Sequence, residues 1–367
     1  MPVKLVLFIN YLNESEKHLK TLHMYSKIFP IVLFVFLFQS GFGQKSKLAA
    51  EYYRNGEFEK AAQLYKSLYK ESKYSDIYFK YYFKSLLNDE NYDEALKAVD
   101  IQIKKKPNQA YLLALKGNLY EQTGNSDKAE KYYEKAIKNS KSENFQLVKL
   151  ANTFREFMKY DLALKTYKKG LKDPKRKSEF LYYIGNLYGV MGDNTNMIKY
   201  YIDYINSKPN IRSLVSIKSN LARNLGNDEL DSLKTILIKS IQTNPDNINL
   251  IDLLSWTYLK MGNYKKAMRQ IIAMDRRFDE DGQRVFKFAI DAKNAGKYSV
   301  AAKAFEYITD NKKQNSPYYF SSIQYYLGIT KDMITSDTLS TKEDLLQIKK
   351  KYKQFINQYG INDRTFS

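Results

Sequence analysis

Residues 110–143 read AYLLALKGNLYEQTGNSDKAEKYYEKAIKNSKSE, and this stretch of 34 residues contains the pattern that most of the chain repeats. Alanine recurs at position 20 of the stretch, in Ala61, Ala95, Ala129 and Ala163. A small residue recurs at position 8, in Ala49, Gly117, Ala151 and Gly185. A fixed period of this length indicates a repeat array, in which each hairpin of helices buries its apolar side only by stacking on its neighbours.

The repeats begin at residues 42, 76, 110, 144, 178, 212, 248, 282 and 316, so every step is 34 residues except the step of 36 after 212. Position 15 is glycine in six repeats, as expected where a helix ends in a left-handed turn: Gly56, Gly124, Gly192, Gly226, Gly262 and Gly296. Position 24 is large and apolar or aromatic, in Tyr65, Val99, Tyr133, Tyr167, Tyr201, Ile271 and Phe305. The pattern predicts that a small residue on one helix meets a large residue on the next.

This pattern resembles the tetratricopeptide repeat (TPR) family, whose marker positions in the quoted repeat are Leu113, Gly117, Tyr120, Gly124, Ala129, Tyr133 and Ala136. The resemblance extends from residue 45 to about residue 315. It implies an all-α fold, a right-handed α-solenoid of stacked helix–turn–helix hairpins. The repeat at 212–247 departs from the pattern, because it lacks the alanine and carries two extra residues, which we expect between its helices around Asn227–Asp231.

The domain organisation follows from the repeat: a leader at 1–43, an array of about eight repeats at 44–315, and a degenerate ninth repeat with a capping helix at 316–367. We expect a first helix over Ser316–Leu327 and a polar loop over 330–340. Thr341 and Asp344 resemble a capping box. An apolar stripe at helical spacing predicts the last helix, which ends at Gly360: Leu345, Ile348, Tyr352, Phe355, Ile356 and Tyr359.

The leader has the features of a secretory signal peptide. Lys27 precedes the apolar run at 28–38, and Gly41 and Gly43 stand before Gln44 in the manner of a cleavage site. Residues 1–23, ahead of Met24, read as an upstream extension. The sequence favours cleavage near Gln44 and export to the periplasm, the cell envelope or the medium, and an uncleaved membrane anchor is the alternative.

Composition argues against an enzyme. The chain has no cysteine, and its two histidines, His18 and His23, both lie in the leader. Histidine is the most frequent general base, and histidine and cysteine are the preferred ligands of transition metals. We find no glycine-rich phosphate loop of the GxxxxGK[ST] type. The sequence therefore predicts no catalytic residues, no cofactor and no metal site.

The charge balance is basic, with 60 lysines and arginines against 40 aspartates and glutamates. An excess of positive charge favours anionic partners such as acidic proteins. The lysines are scattered through both helices of most repeats, which is also typical of a solvated outer surface. Export would keep the chain away from nucleic acid, so we expect a protein or peptide partner, acidic if the charge contributes to binding.

The candidate binding site follows from the resemblance, which implies that the first helix of each repeat lines a concave groove. Position 9 in that helix is asparagine in four successive repeats, at Asn118, Asn152, Asn186 and Asn220. Arginine follows two of them one turn later, at Arg155 and Arg223, and the next repeat has Trp256 at position 9. Carboxamides both donate and accept hydrogen bonds, so such a series can hold an extended chain. Asparagine also belongs to the family pattern, where it pairs with neighbouring helices.

These observations predict a non-enzymatic scaffold that binds protein partners in the TPR groove and organises a complex at the cell envelope. A regulatory or sensor subunit that docks an enzyme or a transducer is an alternative, and an enzyme that uses groove carboxylates is a weaker one. The carboxylate clamp known in some TPR proteins is not fully reproduced, because Tyr111 and Leu115 stand where a clamp would have basic residues. The partner and the oligomeric state are not determined by the sequence.

Overall fold

The structure, a computed structural model, describes residues 43–73, 75–140, 144–207, 211–335 and 342–360, and every regular element in these ranges is a helix. The first, α1, occupies residues 43–54. The others are α2 Phe58–Glu71, α3 Asp76–Asn88, α4 Tyr92–Lys105, α5 Ala110–Gln122, α6 Ser126–Asn139, α7 Asn144–Glu156, α8 Tyr160–Gly170, α9 Lys177–Met191, α10 Asn194–Ser207, α11 Ile211–Asn224, α12 Asn227–Thr243, α13 Ile248–Lys260, α14 Tyr264–Phe278, α15 Gln283–Asn294, α16 Tyr298–Asn311, α17 Tyr319–Thr335 and α18 Lys342–Tyr359. The predicted all-α solenoid class, built of helical hairpins, is confirmed.

The helices belong to two compact units, an N-terminal unit up to Leu162 and a C-terminal unit from Ala163, so the boundary falls inside α8. Each repeat contributes an odd-numbered first helix and an even-numbered second helix. Within the N-terminal unit α5 packs on both α6 and α7, and within the C-terminal unit α16 packs on both α15 and α17. The chain is therefore stacked in sequence order inside each unit.

The turns between the two helices of a hairpin form as the glycines at position 15 predict. Gly56, Gly124, Gly192, Gly262 and Gly296 all have φ between 70° and 80°, in the left-handed region. In three hairpins an asparagine directly before the second helix caps that helix. The side chains of Asn91, Asn125 and Asn263 each accept a hydrogen bond from the backbone N–H three residues on. A left-handed residue followed by an N-cap reverses the chain within three residues.

The core forms where the large residue at position 24 meets the small residue at position 8 of the same hairpin. A Cβ atom added to Gly117 would lie 2.7 Å from ring carbons of Tyr133, and one added to Gly185 would lie 2.7 Å from Tyr201. The ring therefore rests directly on the backbone of the first helix. The alanines at position 20 are buried as well, Ala129 with 3% of its surface exposed and Ala163 with none. Only small residues allow helices to cross this closely.

Aromatic stacking joins one hairpin to the next. Tyr65, at position 24, stacks on Tyr81 of the following hairpin with ring centroids 5.2 Å apart. In the C-terminal unit Phe305 stacks on Tyr325 with the same centroid distance. Tyr133 meets Phe154 edge-to-face at 5.6 Å. One side of each large ring thus packs inside its hairpin while the other side holds the neighbouring hairpin.

In the repeat at 212–247, the two extra residues were expected between the helices, but residues 227–231 belong to α12. Its turn has two residues, like the turn between α9 and α10, and the additional residues lie in the N-terminal part of α12, which has 17 residues. Gly226 accordingly has φ −87° and is the N-cap of α12, with no left-handed turn. Asp231, at the position where other repeats have the core alanine, is exposed. Leu233 and Leu237 are buried, with 1% and 0% of their surface exposed. The register of α12 is therefore shifted by two residues, which places leucines at the core positions.

The C-terminal hairpin differs from its predicted outline. Residues 330–335, expected in a loop, continue α17, because Ile329 and Thr330 are buried and the Thr330 hydroxyl donates to the carbonyl of Tyr326. In α18 the predicted stripe is only partly buried: Ile348 and Phe355 are in the core, whereas Leu345 and Ile356 are more than two fifths exposed. Gly360, with φ 71°, ends the helix as predicted.

The predicted signal peptide comprises residues 1–43, of which residues 1–42 lie outside the described residues, as does Thr341 of the predicted cap. Gln44 belongs to α1. Within the described ranges, none of the helices combines the length and the apolar character that crossing a bilayer requires. The handedness of the solenoid stays a prediction.

We predict that Gly117→Ala destabilises the protein by about 1–3 kcal/mol, because the new methyl group would overlap the ring of Tyr133. Gly328→Ala is the matched control, since Gly328 is also helical but has no atom near its Cβ position. Its better helix propensity should stabilise the protein by about 0.5–1 kcal/mol. Urea unfolding followed by circular dichroism measures both changes, and a shift of the same sign in the two variants would contradict the packing described.

We also predict that Met158→Gly stabilises the protein by about 0.5–1 kcal/mol. Met158 has φ 56° at the position where other repeats have glycine, and its side chain is 74% exposed, so little packing is lost. The reciprocal change, Gly124→Ala at φ 78°, should destabilise by about 1 kcal/mol. The midpoints of urea unfolding test the pair, and a less stable Met158→Gly would mean that the turn does not limit stability.

Candidate partner-binding faces

The first helices of the hairpins form the side on which the sequence predicts partner binding, and we call it the A-face. The N-terminal A-face consists of α3, α5 and α7, and the C-terminal A-face consists of α9, α11, α13 and α15. The predicted series of asparagines extends over both units, so each face is described by itself.

The N-terminal A-face is closed by side chains that connect α3 to α7 across α5. Lys149 Nζ of α7 lies 3.0 Å from Asp76 Oδ2 of α3 and 3.7 Å from the ring centroid of Tyr111 of α5. Glu156 of α7 pairs with Lys80 and with Lys84 of α3, at 2.6 and 3.0 Å. These ion pairs join two hairpins that are separated in sequence by a third.

The ion pairs keep both carboxyl groups ionised. Burial opposes ionisation of Asp76, but hydrogen bonds from Lys106 and Lys149 outweigh it and hold the pKa of Asp76 below its usual value. Burial likewise opposes ionisation of Glu156, and hydrogen bonds from Lys80 and Lys84 lower its pKa overall. The repeat pattern does not indicate this cluster, since its members stand at different positions of their repeats.

Asn118, the first residue of the predicted series, is not accessible. Only 5% of its surface is exposed. Its amide hydrogen-bonds to the hydroxyl of Tyr133, which itself donates to Glu121 at 2.7 Å. On the same helix, α5, Tyr111 and Leu115 are also buried, with 7% and 8% of their surface exposed. The amide therefore serves the packing of its hairpin in this arrangement.

Asn152 and Arg155 lie together on α7, as their spacing predicts. Arg155 Nη1 donates to Asn152 Oδ1 at 3.3 Å, and both residues are half-buried. Arg155 Nε is buried and has no acceptor among the described residues. A buried donor without a partner costs free energy. The Nε of Arg155 is thus a buried donor from which no described residue accepts a hydrogen bond.

On the C-terminal A-face the structure brings Asn186 and Asn220 together. Asn220 Nδ2 donates to Asn186 Oδ1 at 2.7 Å and to the hydroxyl of Tyr201 at 2.9 Å, and that hydroxyl donates to Asn186 Oδ1 at 2.6 Å. The amides thus join α9 to α11, and burial raises the pKa of Tyr201. Arg223 donates to Asn220 Oδ1 and is itself exposed. The two amides are thus hydrogen-bonded to each other, and Arg223 is exposed to solvent.

Trp256 lies half-buried on α13, between core residues on either side. Lys260 Nζ, one turn later, is 5.9 Å from the centroid of its ring. The residues next to it in sequence, Ser255 and Thr257, are 2% and 0% exposed. Trp256 therefore has a partly open aromatic surface with a cation beside it, on a helix that the core holds in place.

A second set of polar contacts, which the repeat spacing did not reveal, connects α11, α13 and α15. Lys218 Nζ pairs with Asp252 Oδ2 at 2.7 Å, and Arg284 approaches the other oxygen of Asp252 at 3.5 Å. Arg284 also donates to both oxygens of Glu280, at 2.6 and 2.8 Å. Together with the amides of Asn186 and Asn220 these contacts link all four first helices of the C-terminal A-face.

A groove enzyme that works with carboxyl groups needs an acid–base pair. Such a pair has one carboxyl group with a raised pKa. In the described part of the chain the carboxyl groups with displaced pKa values are all displaced downward, by hydrogen bonds that favour the ionised form: Glu71, Asp76, Glu94, Glu121, Glu156, Asp193 and Glu229. No group of three metal-ligating side chains occurs among the described residues.

A family model described as "Psidin, N-terminal TPR repeats region" matches residues 81–188. The matched segment contains most of α3 and continues into α9, and it supports TPR-type repeats in this part of the chain. None of the curated proteins matches the chain.

Among solved structures, the chain is similar to one titled "Structure of Naa15/Naa10 bound to HypK-THB", with 14% sequence identity and a TM-score of 0.31. The match covers 88% of this chain and 52% of that one, so the chain spans about half the length of this neighbour. A similarity at this level carries no conclusion about function.

The helical hairpins show a helical repeat protein, and the match over residues 81–188 supports repeats of the TPR type. This architecture is that of a protein-interaction scaffold, since its stacked hairpins present long surfaces built from successive helices.

We predict that stability falls more steeply on acidification in the wild-type protein than in Asp76→Asn/Glu156→Gln. Both carboxyl groups have lowered pKa values in the folded state. Their contribution is therefore complete above the ordinary carboxyl pKa of about 4 and is lost as the pH falls through the folded-state values. Melting temperatures between about pH 5 and pH 3 test this, and parallel curves for the two proteins would contradict it.

Proposed function

We propose that this protein is a non-enzymatic scaffold that binds a segment of another protein on its C-terminal A-face. The observation that supports this most directly is Trp256, a half-buried tryptophan on a helix fixed by the core. Tryptophan is enriched among the residues that dominate binding energy, because one rigid side chain buries a large area on association.

The surroundings of Trp256 define the kind of segment that fits. Arg223 is exposed on the preceding first helix, and Lys260 lies beside the tryptophan ring. A carboxylate of the partner can pair with such cations, while an apolar or aromatic side chain covers the indole. We therefore propose an acidic protein segment, extended or helical, as the partner, with Asn186 and Asn220 as an adjoining polar surface.

We further propose that the protein is exported and acts at the cell envelope. This proposal is supported by the sequence of the leader, in which Lys27, the apolar run at 28–38 and Gly41-Phe42-Gly43 follow one another in the order of a signal peptide. N-terminal sequencing of the protein from its native source tests it. A start near Gln44 would support export, and an intact leader on a cytoplasmic protein would contradict it.

Partner capture should depend strongly on Trp256 and weakly on single asparagines. Removing an aromatic anchor commonly costs about 2 kcal/mol or more, so Trp256→Ala should weaken capture more than tenfold. A single amide hydrogen bond contributes about 0.5–1.5 kcal/mol, so Asn220→Ala, on the C-terminal A-face itself, should weaken capture only a few-fold. The measurement is the affinity of the tagged, folded protein for the partner isolated from the native envelope.

Tyr298→Ala is the matched control for the loss of an aromatic ring, because Tyr298 is 51% exposed and begins α16, a second helix away from the A-face. Capture by this control should stay within twofold of the wild type. All variants are compared after circular dichroism shows native helix content. Unfolding of Trp256→Ala, or unchanged capture by it, would contradict the proposed site.

A further inference from the structure

The lysines of the N-terminal A-face are occupied by carboxylates of the chain itself. Lys80, Lys84 and Lys149 each form an ion pair with Asp76 or Glu156, with distances of 2.6 to 3.0 Å between the lysine nitrogen and a carboxylate oxygen. Since α3 and α7 provide both the lysines and the carboxylates, these pairs connect the two helices directly, and Lys149 lies 3.7 Å from the ring centroid of Tyr111 on α5.

We infer that Asp76 and Glu156 are internal competitors of an acidic partner: they hold the N-terminal A-face closed over α5 and occupy the lysines that such a partner would bind. This inference deepens the proposed function and rests on it for the acidic character of the partner. It adds a second, self-inhibited binding face to the one that contains Trp256.

The geometry is that of a reversible closure. The side chains in these pairs are 24% to 52% exposed, so solvent screens each pair. A carboxylate of a partner can replace an internal carboxylate without a loss in the number of ion pairs. Several screened contacts together keep the face closed, and each of them can be exchanged singly.

The closed face also indicates what an incoming segment would contact. Tyr111, which lies under Lys149, and Leu115, one turn later on α5, are buried in the closed arrangement, while Ile77 and Phe145 are 67% and 70% exposed. Arg155 Nε, on the same helix as Glu156, has no acceptor in the closed arrangement. A segment with carboxylates interspersed among apolar side chains would satisfy these groups together.

Closure can be measured directly because the chain contains no cysteine. Leu115→Cys places a single thiol on α5, one turn after Tyr111, where the native side chain is 8% exposed. We expect this thiol to react with a maleimide reagent at least tenfold faster when Asp76→Asn and Glu156→Gln are added. Glu57→Gln/Glu59→Gln is the matched control, since it removes the same charge at the start of α2. It should change the rate less than twofold.

Competition is tested with poly-L-glutamate at low ionic strength, by titration calorimetry. Asp76→Asn/Glu156→Gln should bind it at least fivefold more tightly than Glu57→Gln/Glu59→Gln, although the net charges are equal. Glu156→Gln alone, which leaves the Asp76 pairs intact, should give an intermediate affinity and serves as the test if the double variant does not fold.

The outcomes separate the inference from the proposed function. Equal thiol rates in the double variant and the control would overturn the closed face. Faster thiol reaction with equal affinity for poly-L-glutamate would overturn the competition. Neither result involves Trp256, whose replacement tests the C-terminal A-face through partner capture.

Discussion

The contact between a tyrosine ring and a glycine of the opposite helix is the constraint on which the hairpins depend. Tyr133 lies against Gly117, and Tyr201 lies against Gly185, so closely that a methyl group on either glycine would overlap the ring. This contact sets the separation of the two helices. The stacking of hairpins then follows, because the large residue at the same position also reaches the next hairpin, as Tyr65 does with Tyr81.

The irregular repeat shows how strongly the core positions are selected. With two extra residues, α12 could have kept the turn at Gly226 and placed Asp231 inside. Burying an unpaired carboxylate is costly, whereas extending a helix by one turn is not. The helix consequently begins earlier, and Leu233 and Leu237 take the buried places. The period of the sequence is interrupted while the packing of the hairpin is preserved.

The two A-faces show that one repeat architecture presents different chemistry along its length. On the N-terminal A-face ion pairs connect α3 to α7, and a predicted binding residue, Asn118, is buried within its own hairpin. On the C-terminal A-face the polar contacts join neighbouring helices, and Trp256 and Arg223 remain in contact with solvent. Part of the large lysine content thus serves the structure, through pairs such as that between Lys218 and Asp252. The excess of positive charge over the whole chain does not by itself locate a binding site.

The sequence by itself determined the helical class, the hairpin boundaries and the small and large core positions. Each of these depends on local rules: glycine permits the left-handed turn at Gly124, and the 34-residue spacing of alanines brings Ala129 and Ala163 to helix crossings. The tertiary structure alone decided which A-face residues are open, since exposure there depends on side chains from hairpins far apart in sequence. Lys80 and Glu156 are separated by 76 residues, and their ion pair follows from no local pattern. Asn118 and Asn220 occupy the same position in their repeats, yet only the structure shows that Asn118 is buried, whereas Asn220 accepts a hydrogen bond from the exposed Arg223.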